Sequence, residues 1–339
     1  MAVMDDIGSV VQSQHDIIGL NKTSDGKACH TQHPDAQWWP KAELGMFVHW
    51  GISSVHGNID LSWGMYKDWI FGPESITPEA YYALAKDFNP QKYDPKKWVK
   101  AAKDAGFNYM VLTTKHHDGF CLWPSDFGYL STKNYMGGRD LVAEYVEACR
   151  EYGMRIGLYY SPPDWSIDRP YMAFDGWQEA RPMPKFVEDY RRATVRGQIY
   201  ELLTRYGHID IIWFDGPGLD YMSREEIYEY QPHIVIGRGN GYDFRSTECI
   251  LADDEKYHKD LEGYWYEHCD QWNCGGWGYT KDEKYKTTEK IIEMFLNTRK
   301  YDGNLLINIG PNKDGEFPDV VYERLAEFGE WMKEYRARK

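Results

Sequence analysis

Several common chemistries leave no trace in this chain. It has no GxSxG elbow, so a strand-turn serine nucleophile is not indicated. It has no phosphate-cradling glycine loop and no GxGxxG after its first strand-like run, which argues against a nucleotide site and a doubly wound dinucleotide fold. HxH and HExxH spacings are missing, so a zinc-hydrolase arrangement is not indicated either. The six cysteines (Cys29, Cys121, Cys149, Cys249, Cys269 and Cys274) are scattered without a CxxC pair and read as reduced thiols. No run approaches transmembrane length, and the opening MAVMDDIGSV lacks a basic stretch followed by an apolar core. A soluble protein is expected, cytoplasmic, or periplasmic or secreted with its export signal removed. Basic charge is also in short supply: 39 Lys and Arg against 53 Asp and Glu give a formal net charge of −14. That disfavours nucleic acid or an anionic membrane as partner. Nothing in the sequence specifies an oligomeric state.

Aromatic residues are abundant, with 14 Trp, 27 Tyr and 13 Phe in 339 residues. They fit a tyrosine-rich core. They also fit platforms for a sugar, because such rings offer an apolar face and often a polar tip.

Residues 1–35 are polar and weakly patterned, an N-terminal extension or a single capping helix. From Trp38 onward, strand-like runs alternate with amphipathic segments. Strands are predicted over 44–51, 154–162, 209–216, 234–241 and 304–311, with a strand running into a loop over 108–119 and a further possible strand over 264–269. Helices are predicted over 94–106, 139–153, 184–207, 284–303 and 318–336. The first of these has Asp94 as N-cap, Pro95 at its first position and Gly106 at its end. Parallel βα units over about 300 residues favour a single α/β domain, a (β/α)8 TIM-like barrel, over residues 36–339.

The run IDIIWFDG ends abruptly in Asp215, where such barrels carry their chemistry. Period-2 alternation puts Trp213 on the same face, as a floor beneath that carboxylate. By the same reasoning Tyr159 points inward from its strand. His49 shares a face with Gly45 and Phe47, and His116 and His117 follow directly after an apolar strand. Each alone fits a hydrogen-bonded core residue, but together they favour a site. A metal held by His49, His116, His117, His268 and Asp215 is the first rival explanation. The missing ligand spacings speak against it, so no metal or cofactor is expected. Carboxylate chemistry then remains. Glycoside hydrolysis needs one ionised and one protonated carboxyl. Asp215 is the natural ionised partner, with the histidines and Arg238 favouring its charge. Candidates for the second are Glu248, Asp253, Asp254, Glu255 and Glu267. Glu267 stands out because Tyr264, Trp265, Tyr266, Trp272 and Trp277 surround it in sequence, and desolvation raises a carboxyl pKa.

These segments resemble the alpha-L-fucosidases of glycoside hydrolase family 29 from about Trp38 to Trp331. The matching stretches are GMFVHWGISSVHG, KHHDGF, RIGLYYSPPDW, IIWFDG, YEHCDQWNCGGWGY and LLINIGPNKDGEFP. The resemblance implies a retaining exo-glycosidase acting on fucosylated oligosaccharides or glycoconjugates. In that reading Asp215 is the nucleophile and Glu267 the acid/base. His49, Trp63, His116, His117 and Tyr159 hold the sugar, Trp213 and Trp277 pack against it, and Arg238 sits beside the nucleophile. Two departures stand out. Ser62 occupies a position where many members carry a sugar-binding Glu, with His56 or Asp60 as the substitute expected nearby. The C-terminal β-sandwich common in the family is not expected here. The alternatives are a related glycosidase for another α-L-sugar such as L-galactose, and a catalytically silent carbohydrate-binding barrel.

Overall fold

In the computed structural model, which describes residues 4–19, 29–67, 74–173, 177–239, 241–249 and 263–339, the alternating runs become eight parallel strands. They are β1 (Leu44–Val48), β2 (Tyr109–Lys115), β3 (Arg155–Tyr160), β4 (Ile211–Phe214), β5 (Val235–Gly237), β6 (Phe244–Glu248), β7 (Trp265–Gln271) and β8 (Asn304–Ile309). They close in sequence order into a barrel, with β1 paired to β8.

Side-chain alternation divides the strands between two cores. Met46, Leu112, Leu158, Ile212 and Ile307 face the surrounding helices. Phe47, Val111, Tyr159, Ile211, Trp213 and Leu306 fill the barrel itself. A period of two makes this partition automatic once one residue of each strand is placed. Glycines inside the barrel make room for aromatics. A Cβ on Gly45 would lie 2.2 Å from the Tyr109 ring, and one on Gly237 would lie 2.0 Å from the Phe244 ring. A side chain at either position would force an overpacked interior to shift.

The predicted helices form with slightly shorter bounds. Asp94 caps the helix Pro95–Asp104 by accepting from the Lys96 N–H at 3.2 Å. Trp98 and Val99 of that helix are buried, and each such side chain stabilises the fold by roughly 1.5–3 kcal/mol. The helices Leu141–Glu151, Lys185–Thr204, Thr288–Arg299 and Asp319–Ala337 complete most of the outer layer.

Two features differ from the sequence reading. Strand β6 was not anticipated, and β7 extends to Gln271 rather than ending near 269. The described residues of the polar N-terminal segment, 4–19 and 29–35, pack onto the barrel. The Thr31 N–H donates to the Asp243 carboxylate at 2.7 Å, and the helix Met4–Ile17 reaches the C-terminal mouth. The opposite end is closed by Trp39, stacked on Phe244 and Trp265. All six cysteines are free. Among the described residues no helix is long and apolar enough to cross a membrane.

Candidate active site

A cavity of about 370 Å³, counted to its open mouth, lies at the C-terminal ends of the strands. Its lining includes nine of the predicted side chains: His49, Trp63, His116, His117, Tyr159, Trp213, Asp215, Arg238 and Trp277. Their places follow from strand endings. His49 immediately follows β1, His116 and His117 follow β2, Tyr159 is next to last in β3, Asp215 follows β4 and Arg238 follows β5.

Asp215 is held from two sides. Arg238 Nη2 donates to its Oδ1 at 2.7 Å, and the Tyr159 hydroxyl donates to its Oδ2 at 2.6 Å. His117 Nε2 lies 3.6 Å from Oδ2. Burial alone would raise the pKa of this carboxyl, but Arg238 and the Tyr159 bond outweigh it and hold it below the usual carboxylate value. The Tyr159 hydroxyl is itself pushed well up by burial and by Asp215, so it stays a donor. Arg238 also lies over the Trp213 ring, 4.5 Å from its centroid, which fixes the guanidinium against the floor.

The three histidines are neutral for the same reason that Asp215 needed help to be charged. Burial pushes His49 down to about 4 and drives His116 and His117 well below the ordinary imidazole value. Each is oriented by a bond at Nδ1. His49 pairs with Asn308 Oδ1 at 2.7 Å, His116 with Ser62 Oγ at 2.5 Å and His117 with Ser161 Oγ at 2.6 Å. Ser161 Oγ donates onward to the Pro163 carbonyl at 3.0 Å. It therefore accepts from His117, which leaves Nε2 with a lone pair toward the pocket.

The aromatic wall is braced in turn. Asn308 Nδ2 donates to the Trp277 carbonyl at 2.7 Å, and Asp60 accepts from the N–H groups of Trp277 and Gly278 at 2.7 and 3.1 Å. Trp63 meets His117 edge-on at 5.3 Å. Asp60 is thus spent on the Trp277 loop, His56 faces Glu74 at 3.6 Å, and Ser62 lies behind His116. The expectation that Asp60 or His56 replaces the missing sugar-binding carboxylate does not hold. Asp60 Oδ1 is taken by the two backbone donors, and neither residue lines the cavity.

Glu267 is the one predicted site residue that the fold does not bring to the pocket. It is the third residue of β7 and lies in register with Asn304, the first residue of β8. Its side chain is fully buried beneath the floor. It accepts from Tyr109 Oη at 2.7 Å, Trp213 Nε1 at 2.8 Å and Ser246 Oγ at 3.1 Å. Burial raises its pKa, as the aromatic surroundings suggested, with these three donors opposing the shift. Desolvation was read correctly, but access was not. The indole of Trp213 stands between this carboxyl and the cavity.

A second carboxylate does line the cavity. Glu248, the last residue of β6, bonds Arg238 Nη1, so one guanidinium joins it to Asp215. Burial would raise its pKa, but Arg238 and His15 hold it down. Asp253, Asp254 and Glu255 lie outside the described residues. Gln14, His15, Ile18 and Phe47 complete the lining. Phe47 was legible from its shared face with His49. The first three sit in a segment whose polar pattern carried no signal of a site.

His116, His117 and Asp215 are the one cluster among the described residues whose ligand atoms could face a common ion. Both Asp215 oxygens already accept bonds, and the fixed positive charge of Arg238 beside them opposes a cation. Bound hydroxyls suit this set better: neutral imidazoles and a carboxylate offer acceptors, and the rings offer apolar faces.

The sequence matches the alpha-L-fucosidase family over residues 19–337. The tissue alpha-L-fucosidase of Rattus norvegicus is 29% identical over 355 aligned residues, covering 94% of this chain and 74% of that protein. The solved alpha-L-fucosidase isoenzyme 1 from Paenibacillus thiaminolyticus is similar at 33% identity with a TM-score of 0.75, covering 88% of this chain and 75% of that one. A family 29 alpha-L-fucosidase from Bacteroides thetaiotaomicron, solved as a trapped covalent intermediate with 2-fluoro-fucosyl fluoride, is 25% identical with a TM-score of 0.74. It covers 94% of this chain and 77% of that one.

Proposed function

This chain belongs to the alpha-L-fucosidase family of glycoside hydrolases, and from that premise we propose that it is a retaining exo-glycosidase releasing terminal α-L-fucosyl groups, with Asp215 as nucleophile. The observation that carries the assignment is the state of Asp215. It is a carboxylate at the barrel mouth, kept ionised by Arg238 and Tyr159, facing a small cavity of neutral imidazoles and aromatic rings. The covalent intermediate trapped in the Bacteroides relative supports the two-step route.

In the first step an Asp215 oxygen attacks the anomeric carbon. The bond from that carbon to the leaving oxygen breaks, and a carboxylic acid gives its proton to that oxygen. In the second step the resulting carboxylate takes a proton from water, whose oxygen attacks the anomeric carbon and releases Asp215. Arg238 stabilises the Asp215 charge before attack and again as it returns. We assign the acid/base to one of the four remaining candidates, Glu248, Asp253, Asp254 and Glu255, of which Glu248 is the one placed at the cavity. Support comes from position: Glu248 ends β6 at the cavity, whereas Glu267 is sealed below Trp213. Glu248 in its resting ion pair with Arg238 is held in the ionised state, the wrong one for an acid. Asp253, Asp254 and Glu255 therefore enter the test beside it.

The test follows the first-formed product anomer by NMR on an aryl α-L-fucoside, with aryl α-L-galactoside as competitor. Appearance of the α anomer first supports retention, and the β anomer first would overturn it. A higher kcat/KM on the galactoside would move the substrate assignment to that sugar. Azide added to Glu248→Gln, Asp253→Asn, Asp254→Asn and Glu255→Gln identifies the acid/base as the variant whose turnover it restores with retained configuration. Rescue of none of them would overturn the assignment to these four residues.

A further inference from the structure

The helix Met4–Ile17 precedes the residues that match the family, yet it forms part of the pocket wall. Val11, Gln14 and Ile18 are buried, at 5%, 5% and 3% exposure. Their spacing puts them on one stripe of the helix and the turn that follows it. A 14-residue helix is marginal by itself in water, so docking of this stripe is what maintains it. Gln14, His15 and Ile18 line the cavity, and His15 Nε2 lies 3.5 Å from Glu248 Oε2. The chain then leaves along the turn that carries the nucleophile. A Cβ on Gly216 would lie 3.1 Å from the Ile18 carbonyl, and one on Gly19 would lie 3.8 Å from Pro217. The glycine next to Asp215 is thus a close-approach point for this segment as well as part of the strand-to-helix turn.

We infer that Gln14 and His15 are specificity-determining residues that narrow the leaving-group side of the pocket and select compact aglycones. This rests on the fucosidase assignment with Glu248, the second carboxylate of the cavity, marking the leaving-group side. In such a displacement the proton donor stands beside the departing oxygen, across the sugar from the nucleophile. His15 Nε2 lies 3.5 Å from the Glu248 carboxylate, and so stands where the departing group must pass. The strands and the loops that follow them supply the other lining residues, including the rings and imidazoles that seat the sugar. The helix is the added element, and its side chains occupy volume that a branched aglycone would need.

The experiment compares kcat/KM for 4-nitrophenyl α-L-fucoside with that for a branched fucosylated trisaccharide, in wild type, the Gln14→Ala/His15→Ala double variant and Gln14→Trp. The ratio of trisaccharide to aryl substrate is expected to rise about tenfold in the double variant and to fall in Gln14→Trp, because steric discrimination of this size is typical of pocket walls. Thermal unfolding of each variant verifies that it folds. The two variants act in opposite directions, so one that fails to fold leaves the other decisive. A ratio unchanged within twofold, with both substrates affected alike, would overturn the inference and leave the fucosidase assignment standing. Absence of wild-type turnover on both substrates would remove that assignment and the inference with it.

Discussion

Asp215 and Glu267 are both carboxyls taken out of bulk water inside one barrel, yet their acidities move in opposite directions. Asp215, at the mouth, meets a guanidinium and a hydroxyl and is held below the ordinary carboxylate value. Glu267, beneath the floor, meets only neutral donors and is raised. Burial pushes both upward, and one fixed positive charge decides the difference. A shifted acidity therefore says little about role until access is known. Glu267 has the acidity expected of a general acid, but it is spent on holding the Trp213 indole and the Tyr109 hydroxyl. Asp215 has an open side facing the cavity.

The contrast breaks most visibly on removal of Asp215, the proposed nucleophile. Asp215→Ala should lower kcat by about 10⁴-fold or more, and added azide should restore turnover to a glycosyl azide of inverted configuration. Glu267→Gln should behave differently. It places an amide against three donors, so the unfolding free energy should fall by about 1–3 kcal/mol in denaturant titration. Activity should drop by no more than about 10²-fold through displacement of Trp213, with no rescue by azide. Azide rescue of Glu267→Gln would return it to the chemistry.

The histidines extend the comparison to pH. His49 is held down to about 4 and His116 and His117 well below the ordinary value of 6.5, so all three are neutral in the folded protein near neutrality. In the unfolded chain they take up protons as pH falls through about 6.5. The unfolded state then binds more protons, and stability is lost progressively from pH 6.5 down through about 4. The lowered pKa of Asp215 acts in the same direction at lower pH. Unfolding midpoints measured between pH 7 and 4 should fall, with a shallower slope in His49→Gln. A flat profile would contradict neutral buried imidazoles. The smallest effect is expected for Ser62→Ala. Losing one hydrogen bond to His116 is worth about 0.5–1.5 kcal/mol, a several-fold rise in KM with kcat little changed.

The barrel was legible because seven of its strands are apolar or aromatic runs bounded by turns. β6 escaped because Arg245, Ser246, Thr247 and Glu248 make four of its five residues polar, leaving no periodic apolar signal. His49, His116, His117, Tyr159 and Asp215 were legible because each stands at or beside the end of such a run, whereas Trp63 came from the family resemblance. Glu267 was misplaced by a boundary. With β7 ending near 269 it lies close to the mouth, but with β7 running to Gln271 it lies near the base. Aromatic neighbours in sequence report desolvation and carry no information about depth along a strand. The contribution of Gln14 and His15 was invisible for another reason. A polar helix docked through a narrow stripe has weak patterning, and its partner surface lies about 200 residues further along the chain.

The most direct measurement is mass spectrometry of the protein after incubation with 2-fluoro-fucosyl fluoride. The account predicts one covalent adduct per chain, mapped by peptide fragmentation to Asp215, formed in the wild type and absent from Asp215→Ala. An adduct on Glu248, Glu267 or any other residue, or no adduct in a preparation that turns over an aryl α-L-fucoside, would contradict it.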